Sequence, residues 1–184
     1  MRFILLFLLA LMISSCSDIE KDEQLRKIGV LNTTIDSLKS TLVDNKIENV
    51  AKKKLAFYAV IKRIKSYYYT DTIDHQFAKK MESYKLIQKS LKNLDGDYEK
   101  IRTALEEEKL SLNKLNSDVR KGFGKREKYD EYISFEKNKI KKIKSLMKEY
   151  KSKKEEFTIS FDSLHPLLND YSIRLEEKFK TKEK

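Results

Sequence analysis

The fold of this chain is decided by residues 77–119, which read FAKKMESYKLIQKSLKNLDGDYEKIRTALEEEKLSLNKLNSDV. A hydrophobic residue occupies every seventh position, and a second hydrophobic set alternates with the first at spacings of three and four. The first set is Phe77, Tyr84, Leu91, Tyr98, Leu105, Leu112 and Val119; the second is Ile87, Leu94, Ile101 and Leu115, with Lys80 and Glu108 as exceptions. This a/d pattern is typical of coiled-coil packing. The spacing predicts one helix over 76–120 that continues through Gly96.

A second long helical pattern follows the glycines at 122 and 124, which we expect to end the first helix with positive φ angles. Its two rows are Ile133, Ile140, Met147, Phe161, Leu168 and Leu175, and Tyr129, Ile143, Tyr150, Phe157, Leu164 and Tyr171; Lys154 and Glu136 interrupt them. The pattern predicts a helix over 126–179. Pro166 lies inside it and would cost a continuous helix about 3 kcal/mol. The register of the pattern continues through Pro166. Either the helix kinks there, or a short fourth helix begins with Pro166 in its first turn, and we favour the break near His165.

The region before residue 76 predicts a third helical segment over about 19–69, with a phase shift near residues 45–49. Residues 70–74, TDTID, supply turn and N-cap residues. Three segments of similar length with short connectors predict an all-α fold, an elongated antiparallel three-helix bundle or coiled coil. Antiparallel packing would place Tyr84 near Phe161, and Leu105 near Ile140.

The composition agrees with long helices. Charged residues make up 38% of the chain, which has no Trp, one Pro and four Gly, and its net charge is +11. A sequence this rich in Lys, Glu, Leu and Ile is typical of coiled coils rather than of compact domains with a wide core. We therefore expect a single helical domain over residues 16–184.

The first 16 residues form a separate pattern. Arg2 precedes an apolar stretch from Phe3 to Ile13, and Ser14 and Ser15 lead to Cys16, the only cysteine. A basic residue, a short apolar region and small residues are the parts of a secretory signal. An apolar stretch of 11 residues is too short for a transmembrane helix, which needs about 20. A plain signal peptide would leave one unpaired cysteine, which lipidation explains.

The run Ile13, Ser14, Ser15 and Cys16 resembles the lipobox of bacterial lipoproteins. The resemblance covers residues 1–23 and implies that residues 1–15 are a cleaved leader and that Cys16 carries acyl chains, palmitate among them. Ser17 at the next position, and the acids of residues 18–23, resemble the sorting signals of outer-membrane and surface lipoproteins of the Bacteroidota. We expect a lipid anchor to hold the protein in a cell membrane. The expected membrane is the outer membrane, with the protein on its periplasmic or surface face.

No motif in the sequence predicts a reaction. The only histidines are His75 and His165; Asp71, Asp74 and His75 could offer metal ligands, but capping is the favoured interpretation of these aspartates, and His165 is interpreted as a helix-boundary residue. We find no nucleophile elbow, phosphate loop or zinc-binding helix motif. The sequence predicts no enzyme, no catalytic residue, no metal and no cofactor besides the lipid on Cys16.

The charge pattern offers one candidate binding surface, the Lys137–Lys154 ridge. Nine lysines oppose one acid, Glu149, over residues 137–154, and seven of them form the candidate anion-binding set: Lys137, Lys139, Lys141, Lys142, Lys144, Lys148 and Lys151. In the envelope such a ridge would meet lipopolysaccharide, cell-wall glycan or phospholipid, whereas nucleic acid is not expected there. The favoured interpretation is that these lysines solvate a helix.

Residues 67–69 are three consecutive tyrosines at the end of the first segment. Packing of Tyr68 against Phe77 is the favoured explanation, and stacking of exposed tyrosines on a sugar or protein partner is the alternative. The sequence as a whole predicts a membrane-anchored, non-enzymatic helical module whose partner is another envelope protein or an anionic glycan or lipid.

Overall fold

A computed structural model describes the backbone of residues 2–72 and 74–182 and the side chains of residues 19–72 and 74–181. Within these ranges the chain is all-α. The helices are α1 (Arg2–Asp44), α2 (Val50–Tyr67), α3 (His75–Lys121) and α4 (Tyr129–Lys182), and a 3₁₀ turn, Arg126–Lys128, precedes α4. The predicted all-α bundle is confirmed.

The heptad pattern of α3 gives the buried face of that helix. Its a and d positions from Tyr84 to Val119 are all buried, and they include Glu108. Gly96 lies inside the helix with open space around it, so the predicted continuation through this glycine is confirmed.

The first predicted segment is two helices rather than one. Helix α1 ends at Asp44, and α2 begins at Val50 after Asn49, which has a φ of 56°. Asparagine tolerates this left-handed conformation better than most residues. The phase shift seen near residues 45–49 is therefore a break between helices.

Pro166 lies inside α4, which continues to Lys182. The favoured break near His165, with a short fourth helix starting at Pro166, is wrong. Proline removes one backbone hydrogen bond and disfavours the helix locally. Side chains on both sides of it, Phe157 and Leu168, are buried, and this packing is lost if the helix ends.

The helices form two compact units, each containing three helical segments. Unit 1 comprises residues 1–44 and 100–147, and unit 2 comprises residues 45–99 and 148–184. In unit 1 an ion pair joins each pair of segments: Lys109–Asp36, Lys27–Asp130 and Lys139–Glu108. In unit 2, Lys54–Asp95 and Lys153–Asp97 join α3 to its neighbours, and Arg63 of α2 donates hydrogen bonds to Asn169 and Ser172 of α4.

An aromatic cluster in unit 2 tests the predicted antiparallel register. The Phe57 ring centroid lies 4.7 Å from that of Tyr84 and 5.3 Å from that of Phe161. The predicted proximity of Tyr84 and Phe161 is therefore confirmed. In unit 1, Glu108 of α3 forms an ion pair with Lys139 of α4. Leu105 is three residues before Glu108 and Ile140 follows Lys139, so the two lie at neighbouring levels of their helices, as the same register requires.

The end of α3 depends on a glycine. Gly122 has a φ of 67°, and the amide of Phe123 donates to the carbonyl of Asp118 while that of Gly122 donates to Val119. These two bonds form a Schellman cap. In this motif a residue with positive φ turns the chain, so that the backbone amides after the helix donate to its last carbonyls. The hydroxyl of Tyr129 also donates to this turn, at 2.5 Å from the Phe123 carbonyl.

We expect Gly122→Ala to lower the free energy of unfolding by about 1–2 kcal/mol, because an L-residue is strained in the left-handed region. A methyl group there would also displace the guanidinium of Arg126. Gly96→Ala is the matched control and should stabilise the chain by about 0.5–1 kcal/mol, since it replaces glycine within a helix. Urea unfolding followed by circular dichroism measures both. Equal effects of the two substitutions would contradict the capping role of Gly122.

Candidate functional site

The predicted lipidation site lies outside the side chains that the structure describes. Ile13, Ser14, Ser15 and Cys16 belong to the part of α1 before Ile19, the first residue whose side chain is described. Lipidation of Cys16 stays a prediction. Among the described residues, no helix has the length and hydropathy that a membrane span requires.

The Lys137–Lys154 ridge separates into free and paired lysines. Six lysines are exposed and form no ion pair with any described residue: Lys137, Lys141, Lys142, Lys144, Lys148 and Lys151. Lys139, in contrast, is half-buried between Glu108 and Glu136, and Lys153 pairs with Asp97 and Glu149. The candidate anion-binding set therefore loses Lys139, whose charge is neutralised within unit 1.

Three of the free lysines share one flank of α4 in unit 1. Lys137, Lys141 and Lys144 follow at spacings of four and three, which place side chains on the same side of a helix. Lys144 also lines an open groove of about 690 Å³, whose other walls include Gly29, Val30 and Thr33 of α1. Arg26 of α1 also lines this groove, so its wall carries a basic side chain from each of the two helices.

The paired lysine belongs to a buried cluster of charges. The Lys139 ammonium nitrogen lies 2.6 Å from a Glu108 oxygen and 2.7 Å from a Glu136 oxygen, and the Glu108 side chain is 1% exposed. Burial raises the pKa of Glu108; the hydrogen bond with Lys139 opposes this rise, and neighbouring Glu136 adds to it. Burial alone would lower the pKa of Lys139, but hydrogen bonds to both carboxylates outweigh it and raise that pKa. Two carboxylates thus depend on one ammonium group.

Of the two aspartates near His75, Asp74 caps α3 as the capping interpretation predicts. A carboxylate oxygen of Asp74 accepts hydrogen bonds from the backbone amides of Gln76 and Phe77, at 3.0 and 2.9 Å. This is the geometry of an N-cap. Asp71 and His75 are exposed, and no group of three candidate metal-binding side chains occurs among the described side chains of residues 19–72 and 74–181.

His165 has a role that the sequence analysis missed. It lies within α4, its ring stacks on Phe161 at 4.5 Å, and its Nδ1 atom lies 2.5 Å from the Tyr84 hydroxyl. Burial, and secondarily the charge of Arg63, lower the pKa of His165. His165 and Tyr84 therefore share a hydrogen bond within this aromatic cluster. Because His165 lies inside α4, the interpretation as a helix-boundary residue is wrong.

The three tyrosines at the end of α2 have different environments. Tyr68 stacks on Phe77 with ring centroids 4.4 Å apart, and Tyr67 contacts Phe179 at 5.3 Å. The predicted packing of Tyr68 on Phe77 is confirmed. Tyr69 is 78% exposed.

A second basic surface, which the sequence analysis did not single out, lies at the α3–α4 connection. We call residues 120–128, RKGFGKREK, the basic loop; it holds five basic residues and one acid. Phe123 is 61% exposed at its centre. Arg126 and Gly122 line a cavity of about 640 Å³ together with Glu20 and Lys21 of α1. The sequence signal for this surface is the group of five basic residues on both sides of Phe123.

Comparisons of the chain with protein-family models, with curated proteins and with solved structures find no match.

Proposed function

We propose that the chain is a membrane-anchored, non-enzymatic helical lipoprotein that acts as an interaction or structural module in the bacterial cell envelope. One observation carries the proposal: the only cysteine, Cys16, ends a basic and apolar leader at Ile13, Ser14 and Ser15. Acyl chains on this sulfur would hold the protein firmly, because each buried methylene contributes about 0.8 kcal/mol and several chains add.

The helical bundle supports an interaction role. Each unit presents long helix faces to solvent, and these carry exposed hydrophobic side chains such as Leu110 and Phe135 in unit 1 and Tyr69 in unit 2. Long solvent-facing helices offer surfaces on which another envelope protein could dock. Ser17 and the acids after it favour the outer membrane, on its periplasmic or surface face.

Replacement of Cys16 tests the anchor. We expect Cys16→Ala to abolish incorporation of labelled palmitate in growing cells. Ser17→Ala is the matched control, because it changes the neighbouring residue and keeps the sulfur; it should incorporate palmitate like the wild type. A Cys16→Ala chain that still incorporates palmitate would contradict the proposal.

Binding of anionic envelope polymers through the Lys137–Lys154 ridge is a second candidate function. The exposed, unpaired lysines at positions 137, 141 and 144 on one flank of α4 favour it. Such binding would be electrostatic and would weaken as salt shortens the Debye length, which is about 10 Å at 0.1 M. Lipopolysaccharide, cell-wall glycan and phospholipid are the candidate ligands.

Charge reversal tests this second function. We expect K141E/K142E/K144E to lose salt-sensitive retention on immobilised lipopolysaccharide, cell-wall sacculi or anionic vesicles. The matched control is K85E/K89E/K92E, which makes the same change in net charge at three exposed lysines of α3. Equal retention of the two variants would mean that net charge, rather than the ridge, binds the polymer.

A further inference from the structure

The basic loop presents an aromatic ring among positive charges. Phe123 stands between Gly122 and Gly124, whose φ angles are 67° and 84°, and the Lys121 ammonium nitrogen lies 6.0 Å from its ring centroid. The two glycines carry no side chains that could cover the ring, which is 61% exposed. An exposed phenylalanine with lysines beside it is the combination that partitions into the interface of a bilayer.

The charges of the loop are available to a ligand. Arg120, Lys121, Lys125 and Arg126 are exposed and form no ion pair with any described side chain. The fifth basic residue, Lys128, pairs with Glu131 at 3.5 Å. A cluster of unpaired cations is attracted to anionic lipid headgroups, and the attraction is strong within about one Debye length of the surface.

The loop is held in a defined conformation. The Schellman cap fixes Gly122 and Phe123 to the end of α3, and the Arg126 guanidinium donates to the Gly122 carbonyl at 3.0 Å. The Tyr129 hydroxyl donates to the Phe123 carbonyl from the first turn of α4. Because these contacts fix its backbone, the loop keeps Phe123 exposed and loses little conformational entropy on docking.

The loop also lies close to the predicted anchor. Glu20 and Lys21 line the same cavity as Gly122 and Arg126, and only three residues separate Glu20 from Cys16. Four peptide units span at most about 14 Å even when fully extended. Whatever the conformation of residues 16–19, the acylated sulfur cannot lie far from this end of unit 1.

We infer that the basic loop is a second membrane contact, in which Phe123 enters the headgroup region of an anionic phospholipid bilayer while Lys121, Lys125 and Arg126 bind lipid phosphates. The inference rests on the proposed anchoring through Cys16, and it adds an orientation: unit 1 docks on the bilayer through this end. Acyl chains alone would leave the helices free to tilt, whereas two contacts hold one end against the surface.

A single tryptophan tests the contact directly, because the natural chain has none. Full-length lipidated Phe123→Trp is reconstituted into vesicles containing phosphatidylglycerol and brominated lipid. We expect the tryptophan emission of this variant to shift to shorter wavelength and to be quenched by bromine. Phe135→Trp is the matched control: residue 135 is 62% exposed on α4 of the same unit, and the emission of this second variant should stay unshifted and unquenched.

Removal of charge tests the electrostatic part. In the Phe123→Trp background we expect K121Q/K125Q to lower the ratio of docked to undocked loop by roughly fivefold for each cation removed. Vesicles of phosphatidylcholine alone should lower it similarly. With the lipidated wild-type protein, tryptic cleavage within residues 120–128 should be slower on phosphatidylglycerol vesicles than in detergent micelles. This measurement checks the result without any substitution.

The outcomes separate this inference from the proposed function. Flotation of Phe123→Trp with vesicles, together with unquenched tryptophan emission, overturns the loop contact and leaves the anchor intact. Equal quenching in Phe123→Trp and Phe135→Trp also overturns the loop contact. So does quenching of Phe123→Trp that K121Q/K125Q leaves unchanged. A chain that does not float and whose Cys16 has an unmodified mass contradicts the proposed anchor instead.

Discussion

Replacement of Leu105 by aspartate should destabilise unit 1 by more than about 4 kcal/mol, an effect at the extreme of single substitutions. Leu105 is fully buried at the centre of the hydrophobic face of α3. Truncation to alanine at such a position costs about 2–5 kcal/mol through lost contacts and the cavity left behind. Aspartate adds the cost of burying a carboxylate that has no partner.

The effect is measured by urea unfolding followed by circular dichroism, and α3 supplies its own control. Leu110 is five residues further along the helix and 70% exposed. Leu110→Asp should change the free energy of unfolding by no more than about 0.5 kcal/mol, as is usual for surface sites. If both substitutions cost the same, the heptad register of α3 in unit 1 would be wrong.

The second large effect is expected at the buried charge cluster. Lys139→Met removes the one ammonium group that neutralises Glu108 and Glu136. Loss of one partner from a buried ion pair costs about 3–5 kcal/mol, and we expect about 2–3 kcal/mol here because the Lys139 side chain is still 37% exposed. Lys142→Met is the matched control on the exposed face of the same helix, and it should be nearly neutral.

The cost of Lys139→Met should depend on pH with a defined sign. The pKa of Glu108 is raised in the folded state, so its protonated form favours folding. The stability that this shift contributes is complete below the ordinary pKa of 4.5 and is lost as the pH rises through the raised value. The hydrogen bond with Lys139 lowers this pKa, so Lys139→Met should raise it further and leave the ionised Glu108 without a partner. The stability of the variant should therefore be nearest to that of the wild type in acid and furthest from it at neutral pH.

Unfolding curves of both chains at acidic and neutral pH measure this difference. Glu108→Gln provides a further control, since it keeps the shape of the side chain and removes the charge that titrates. Combined with Lys139→Met, it should restore much of the lost stability at neutral pH. A penalty for Lys139→Met that is the same at both pH values would show that lost packing of the lysine stem, rather than charge, causes it.

Helix positions and buried faces could be predicted from the sequence because they follow from local periodicity. The seven-residue repeat placed α3 at 76–120, and the helix is His75–Lys121. The capping role of Asp74 and the positive φ of Gly122 also follow from properties of single residues and their neighbours. The residues that resemble a leader and a lipobox likewise stand in consecutive positions, so the prediction that Cys16 is lipidated needs no knowledge of the tertiary structure.

Pairing between distant segments could not be predicted in the same way. The sequence marked Glu108 and Glu136 as exceptions in the seams, but their common partner Lys139 follows only when α3 and α4 lie in register. His165 reaches Tyr84 across 81 positions of sequence. The continuity of α4 through Pro166 has the same origin, because packing on both sides outweighs a local preference for a break.

The sequence by itself determined which stretches of the chain are helical and which face of α3 is apolar, and it predicts Cys16 as the site of a lipid. The tertiary structure alone decided which lysines are free, where His165 lies and how close the basic loop comes to the residues after Cys16. The physical reason is that periodicity and capping act over one or two helical turns, whereas burial and charge pairing depend on which segments meet after the chain has folded.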